Sequence, residues 1–269
     1  MAMRINQNIM AFNAYRNLSV TNGMLGKSLE KLSSGFRINR AADDAAGLVI
    51  SQGLRAQVSG LRVASRNAQD GISVVQTAEA ALNEVHTMLN RMRDLAVQAV
   101  NGSNDTAART AANNEVTQLR SEIDRIGSST KFGNMKLLNG SFSASFQVGA
   151  NSGDTIAVSI GSLSVVVSTT GSVSTASAAA EFITSVDAAI SAVSDLRAQL
   201  GAFQNRFEST INNLNVAVEN LAASESRIRD TDMALEMVTF TRHQILIQAG
   251  TAMLGQANSI PQSVLRLLQ

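Results

Sequence analysis

The chain has 269 residues and a formal net charge of +1, and it contains no cysteine, no tryptophan and one proline. Without cysteine it can form neither disulfides nor thiolate metal sites, and its balanced charge gives no electrostatic case for nucleic-acid binding. Aromatic residues make up 4% of the chain, so paired helices and contacts between subunits are more plausible ways to bury apolar surface than one thick core.

Residues 1–43 place apolar side chains at helical spacing and reach Ser34-Gly35, a common helix stop. Asp43 and Asp44 then stand where a helix N-cap belongs, and their charge suits the positive end of a following helix. Capping is therefore favoured over a catalytic role for this acidic pair. The apolar positions are Ile5, Ile9, Phe12, Leu18, Leu25, Leu29 and Leu32.

A seven-residue apolar repeat runs through residues 44–101, and a matching repeat runs through 179–223. Each forms one narrow stripe on a helix, which is typical of a coiled-coil-like bundle rather than a globular core. We predict that the two helices pair antiparallel and form a rod. The seam positions are Leu54, Leu61, Val75, Leu82 and Leu89 in the first helix and Val193, Leu200, Phe207, Leu214 and Leu221 in the second.

Between the two long helices, residues 104–127 predict a shorter helix that Asn104 or Asp105 caps, followed by a loop over 127–139. Apolar and polar residues then alternate over 142–148 and 156–160, with turn formers between them. This period is typical of half-buried strands. We predict a β-hairpin at about 141–161, a candidate third strand at 163–170 and an exposed crossing over 171–180.

The last segment, 224–269, predicts a helix that Asp230 or Asp232 caps. Between Met237 and Leu265 its only formally charged residue is Arg242. A helix that is apolar on all sides must be buried on all sides, and the N-terminal helix can cover only one side. We infer that other copies of the chain supply the missing contacts. The apolar positions include Val238, Ile245, Leu246, Leu254, Val264 and Leu265.

The sequence carries no recognisable catalytic or cofactor-binding motif. His86 and His243 make no metal-ligand pair, and there is no phosphate-binding glycine loop or nucleophile elbow. We therefore expect no enzyme, no cofactor and no metal. No stretch approaches the 18 apolar residues of a membrane span, and the first twenty residues lack the pattern of a cleaved secretion signal. We expect no membrane insertion, and export would need another route.

Four blocks of the chain resemble bacterial flagellins. They are LEKLSSGFRINRAADDAAGL at 29–48, SRNAQDGIS at 65–73, ESRIRDTDMA at 225–234 and IPQSVLRLL at 260–268. Their order and their spread over nearly the whole chain make the resemblance specific. Larger flagellins insert outer domains in the middle, whereas residues 131–180 leave room for little beyond the hairpin. The resemblance is therefore to a short form, and Met1-Ala2 precede the usual family start.

The resemblance implies a mainly helical fold in which 1–43 and 224–269 form an inner filament-core domain and 44–223 form the rod domain. It further implies a helical homopolymer outside the cell that serves swimming motility after export through the flagellar type III apparatus. Expected partners are an export chaperone at the C-terminal helix and hook-associated junction and cap proteins. The expected core positions are Ile5, Ile9, Phe12, Leu25, Leu29, Leu32, Val238, Ile245, Leu246, Leu254, Val264 and Leu265.

Many flagellins are also ligands of a vertebrate Toll-like receptor. The positions here that match the family motif are Arg91, Leu95 and Glu115, with Asp94 where glutamate is usual. Leu95 could equally be a flank of the helix seam, and Arg91 a solvated charge. Two other protein classes also stay open: a hook–filament junction protein with related terminal helices, and a secreted coiled-coil adaptor. An enzyme with a grafted central domain is disfavoured because the middle segment has no histidine and almost no charge.

Overall fold

The computed structural model describes residues 7–163 and 171–267, with side chains described as far as residue 260. Long helices dominate these residues, and the short strands lie between the third and the fourth helix, as predicted. The elements are α1 (Ile9–Ser34), α2 (Ala45–Val100), α3 (Thr106–Ser129), β1 (Lys131–Phe132), β2 (Met135–Lys136), β3 (Ser143–Gln147), β4 (Thr155–Ser159), α4 (Ala176–Arg229) and α5 (Met233–Leu267).

Acidic side chains cap the starts of three helices, as the sequence indicated. Asp44 Oδ1 accepts a hydrogen bond from the Gly47 amide (2.9 Å) at the start of α2. Asp105 does the same for α3 and Asp232 for α5, with donor–acceptor distances of 2.7 and 2.9 Å. The first amides of a helix have no partner within it, so these carboxylates satisfy donors that would otherwise need water. The capping residues are therefore Asp44, Asp105 and Asp232, rather than their predicted alternatives Asp43, Asn104 and Asp230.

The chain divides into two compact units. The first unit spans Gln57–Glu219, and we call it the inner unit because it lies between the chain ends in the sequence. The second, the terminal unit, contains both chain ends, up to Ala56 and from Asn220. The expected filament-core domain falls in the terminal unit. The domain boundaries predicted at 43/44 and 223/224 stay predictions.

Within the inner unit, α2 and α4 pair antiparallel. Arg93 Nε lies 2.6 Å from Asp187 Oδ1, near the end of α2 and the start of α4. Further back along α2, Gln204 Nε2 donates to Glu79 Oε2 at 2.9 Å. From Glu79 to Arg93 along α2, the partner on α4 changes from Gln204 back to Asp187, so the two helices run antiparallel, as predicted. α3 then returns along α2.

One hydrophobic core fills the inner unit. Its fully buried side chains include Val75, Leu82, Leu89, Val193, Leu200 and Phe207 of the predicted seam. Leu214 is also buried, whereas Leu54, Leu61 and Leu221 are only half-buried. These three lie towards the ends of the seam, outside the core of closely packed residues.

The β-hairpin lies where the sequence placed it. β3 and β4 pair antiparallel, with Phe146 opposite Ile156. Phe146 packs edge-on against Phe207 of α4, with ring centroids 5.5 Å apart and an interplanar angle of 87°. On the α2 side, Asn67 Nδ2 donates to the Gln147 carbonyl at 3.0 Å. The hairpin therefore contacts both long helices and closes the core from the side.

Some local expectations were wrong. Residues 127–139, expected as a loop, contain the last residues of α3 and then β1 and β2, a tight hairpin that turns through Gly133 at φ +57°. The fourth helix begins at Ala176, earlier than predicted, and runs on to Arg229. Of the candidate third strand, Leu163 is buried, whereas 164–170 lie outside the described residues.

By length and composition alone, α4 could span a membrane, because it holds an 18-residue window with a mean hydropathy of 1.3. The sequence-based statement that no stretch approaches such a span overlooked this window. Phe182, Val186 and Val193 of the same helix are buried in the inner unit. Burial in the core accounts for part of that hydropathy, since 28% of the window is buried.

Candidate assembly surface

The terminal helices α1 and α5 pack against each other antiparallel. Asn8 Nδ2, just before α1, donates to the Ala257 carbonyl of α5 at 2.8 Å. At the other end, Lys31 Nζ lies 3.9 Å from Glu236 Oε2. The two chain ends are thus brought together in one unit, as the sequence predicted.

Small residues occupy buried positions where the two helices pack together. Ser28 of α1 and Ala257 of α5 are buried, and a Cβ added to Gly250 would lie 3.3 Å from Leu18 Cδ1. The larger side chains Leu25 and Leu254 are half-buried. The pair therefore buries little apolar area for its length.

Most of the predicted core residues on these two helices are exposed. Phe12 is 71% exposed, Val238 66% and Ile245 59%. Ile9, Leu29 and Leu246 are also exposed, and Leu32 is half-buried. Ile5 lies outside the described residues, as do the side chains of Val264 and Leu265.

Three of these exposed residues, Val238, Ile245 and Leu246, lie together on one face of α5. A shallow depression of about 490 Å³ lies on this face and is lined by Met237, Val238, Thr241, Arg242, Ile245 and Leu246. Further large apolar side chains, which the sequence analysis did not single out as core positions, are exposed on both helices: Met10, Tyr15, Val20, Met24, Leu235 and Met253. The sequence shows that these residues are apolar, but which of them point outward depends on how α1 packs against α5. Large contiguous apolar patches typically mark interaction sites.

The expected receptor residues are brought close together on α2 and α3. Arg91 Nε donates to Glu115 Oε1 at 2.7 Å, and both side chains are about half-exposed. The hydrogen bond to Glu115 and its negative charge raise the pKa of Arg91 above its usual value. Leu95, one turn further along α2, is 3% exposed and belongs to the core.

No group of three or more His, Asp or Glu side chains that could hold a metal ion occurs within the described residues. His86 and His243 are half-buried. In both, Nδ1 is buried without a hydrogen-bond partner in the part of the chain that the structure describes. Each histidine therefore packs alone rather than as part of a ligand set.

A core of paired long helices with an uncovered apolar surface on the terminal helices is typical of a helical structural protein. Sequence comparison makes the class specific. Residues 5–143 match the bacterial flagellin N-terminal helical region, and residues 183–268 match the bacterial flagellin C-terminal helical region. The chain belongs to the bacterial flagellin family.

Relatives match over almost the full length of the chain. The chain is 51% identical to a flagellin of Halalkalibacterium halodurans and 46% identical to one of Bacillus subtilis, in each case over 99% of this chain and 100% of the relative. A flagellin FlaB1 of Treponema pallidum is 44% identical with the same coverage. Full coverage of these relatives confirms the short form, without an added outer domain.

A solved structure supports the fold. The crystal structure of Bacillus cereus flagellin matches with a TM-score of 0.53 and 32% sequence identity, over 60% of this chain and 94% of that one. Flagellins are structural components of the extracellular flagellar filament. Family membership therefore confirms that the chain is a structural protein and not an enzyme.

Proposed function

We propose that this chain polymerises into the flagellar filament that drives swimming, and that the exposed faces of α1 and α5 form the filament core. The carrying observation is the uncovered apolar surface around Val238, Ile245 and Leu246. A heterologous contact that does not close into a ring generates a helical filament. Neighbouring copies are the natural cover for a surface of this size.

The energetic case rests on the size of these side chains. Full burial of a Val, Leu or Ile side chain stabilises by about 1.5–3 kcal/mol. Ile245 and Val238 are more than half exposed in the monomer, so each still has most of that gain to make on assembly. Several such residues per subunit can offset the loss of translational freedom on polymerisation.

A charge substitution tests the surface. We expect Leu246→Asp to abolish growth from short filament seeds, because assembly would bury an unpaired carboxylate. The matched control is Asn83→Asp, which adds the same charge at an exposed position of α2 and should leave growth intact. Electron microscopy measures filament length, and circular dichroism confirms that both variants keep their helices. Normal filaments from Leu246→Asp would overturn the assignment.

Removing residues 240–269 is the coarser test of the same proposal. The truncated chain keeps the whole inner unit, so it should remain a soluble, helical monomer. It should not elongate seeds, because the truncation removes Ile245, Leu246 and Met253 of the uncovered face and most of the helix that packs against α1. Normal filaments from this chain would refute the core assignment. If the full-length chain itself fails to elongate seeds, a junction or adaptor protein becomes the better interpretation.

We also propose export through the flagellar type III apparatus, with a cytoplasmic chaperone covering α5 before assembly. Support comes from the family resemblance and from the exposure of Val238 and Ile245, which need a cover in the cytoplasm. Hook-associated junction and cap proteins would contact the same terminal helices at the filament ends. A purified chaperone should bind the full-length monomer and lose binding to the chain that lacks residues 240–269.

Receptor recognition is a separate proposal. The resemblance places Arg91, Leu95 and Glu115 at the site, and the first and last are available at the surface as an ion pair. Leu95 would act by holding that stretch of α2 in place. We expect Arg91→Ala to reduce the signal of receptor-bearing reporter cells. Arg93→Ala is the matched control, because Arg93 is a neighbouring exposed arginine paired with Asp187. An unchanged signal from Arg91→Ala would count against the proposal.

A further inference from the structure

The two short connectors of the terminal unit meet and bond to each other. One joins α1 to α2 and the other joins α4 to α5. Phe36 and Asp230 form an isolated antiparallel bridge between them. The amide of Arg37 donates to the Arg229 carbonyl at 2.7 Å, and the amide of Thr231 donates to the Gly35 carbonyl at 2.9 Å. The end of α1 and the end of α4 are therefore joined side by side.

These bonds also cap both helix ends. The last carbonyls of a helix lack partners within it, and at the end of α4 they accept from Arg37. Its amide takes the Arg229 carbonyl and its Nη2 takes the Ile228 carbonyl at 2.6 Å. α1 ends in Gly35 with φ +74°, a left-handed cap that glycine adopts without strain. Thr231 then bonds to the carbonyl of that cap residue, so each connector supplies donors to the other helix.

Arg229 packs on the ring of Phe36 where the two connectors meet. The Arg229 guanidinium carbon lies 4.3 Å from the centroid of the Phe36 ring, well inside the range of a cation–π contact. The Arg229 side chain is only 14% exposed, and its nearest carboxylate, on Glu225, is 3.9 Å away. Its Nε has no hydrogen-bond partner among the residues described. The Phe36 ring face therefore contacts a largely desolvated cation, whose ion pair with Glu225 is long for a direct hydrogen bond.

We propose that Phe36, Arg37 and Arg229 form a clip that fixes how the chain leaves α1 and how it enters α5, so that both apolar faces are presented to a neighbouring copy together. This inference rests on the proposed assembly function. Close to this point, α1 and α5 themselves are joined by the ion pair of Lys31 with Glu236, and a partly exposed pair at 3.9 Å holds weakly. Phe36 and Arg229 are thus positioning residues for assembly.

The test compares three substitutions of neighbouring arginines in the full-length chain. Arg229→Met removes the cation and keeps a similar apolar stem, whereas Arg229→Lys keeps a cation over the ring. Arg227→Met is the matched control, because Arg227 is exposed and donates a hydrogen bond to Ser224 one turn earlier on the same helix. We expect roughly tenfold faster hydrogen exchange at the Thr231 and Arg37 amides in Arg229→Met, and roughly tenfold slower elongation of seeds. Arg229→Lys should recover much of both, and Arg227→Met should match the parent.

Phe36→Leu provides the second arm, because leucine keeps apolar bulk but has no ring face. Combined with Arg229→Met it should add little further, since both act through one contact. Parent-like exchange and elongation in Arg229→Met would overturn the clip. Faster exchange with unchanged elongation would show a local tie without a positioning role, which also overturns it. If the parent chain itself does not elongate seeds, the assembly proposal fails instead, and the exchange data alone then decide whether the connectors are locked.

Discussion

Gly71 of α2 faces the ring of Phe207 of α4 across the helix interface. A Cβ at position 71 would lie 2.7 Å from Phe207 Cζ and 3.0 Å from the two neighbouring ring carbons. Phe207 is fully buried and packs edge-on against Phe146 of the hairpin. The ring cannot retreat without moving the hairpin. We therefore predict that Gly71→Ala destabilises the inner unit, although alanine is the better helix former.

Two opposing effects set the magnitude. Overpacking a buried site costs about 1–3 kcal/mol, whereas replacing a helical glycine by alanine gains about 1 kcal/mol. Gly201 of α4 is the matched control, because a Cβ there would meet nothing within 4 Å. Gly201→Ala should therefore show the gain alone. The free energies of unfolding of the two variants should differ by roughly 1–3 kcal/mol, which corresponds to some 2–12 °C in Tm.

Urea and thermal unfolding of the monomer, followed by far-UV circular dichroism, measure this difference. Adding Phe207→Leu to Gly71→Ala should cost less than Phe207→Leu does in the parent, because leucine leaves room for the new methyl group. If Gly71→Ala proves as stable as Gly201→Ala, the ring is free to move. The argument from close packing at this contact would then be wrong.

Three further predictions concern single side chains. Phe182→Ala should lower the free energy of unfolding by about 3–5 kcal/mol, because the ring is 1% exposed in the core. Urea unfolding measures this loss, and a loss under about 1 kcal/mol would contradict the burial of the ring. Asp105→Ala removes the cap of α3 and should cost about 1 kcal/mol in the same assay, whereas no loss would mean that water replaces the cap. The backbone amides of Arg40 and Asn39 donate hydrogen bonds to the Asp43 carboxylate and lower its pKa below 3.8. The ionised carboxylate therefore stabilises the connector between α1 and α2 above about pH 4, and this stabilisation is lost as the pH falls through the lowered pKa. An NMR titration of that carboxyl with a midpoint at or above 3.8 would refute this.

The helices and their caps were predictable because their signals are local or periodic. A seven-residue repeat identifies a helix from its own sequence, and an aspartate before the repeat identifies its start. The antiparallel pairing of α2 with α4 also followed from the matching repeats. β1 and β2 were missed because two-residue strands have no period to detect. The Gly133-Asn134 pair between them is a two-residue hairpin signal that could have indicated the turn.

The assembly surface was only partly predictable. The excess of apolar residues in α5 showed that something must cover it, but the sequence could not tell which side chains point outward. Leu95 is the instructive case. Its position in the family motif suggested a surface role, whereas the α2 stripe left it at the flank of the seam, and it is buried. The contact of Phe36 with Arg229 joins distant parts of the chain, so no local pattern could reveal it.

The two units use their apolar residues in opposite ways. The inner unit directs Leu82, Leu89 and Phe207 inward, where they are fully buried within the single chain. In the terminal unit, small residues such as Ser28 and Ala257 occupy the buried contact, while large ones such as Phe12 point to solvent. Because apolar stabilisation scales with the area removed from water, the α1–α5 pair gains little by itself and most of its stability must come from further chains. Hydrogen exchange of the monomer should therefore be fast in α1 and α5 and slow in α2 and α4, and exchange in the terminal helices should slow on elongation. Equal protection of all four helices in the monomer would contradict this division.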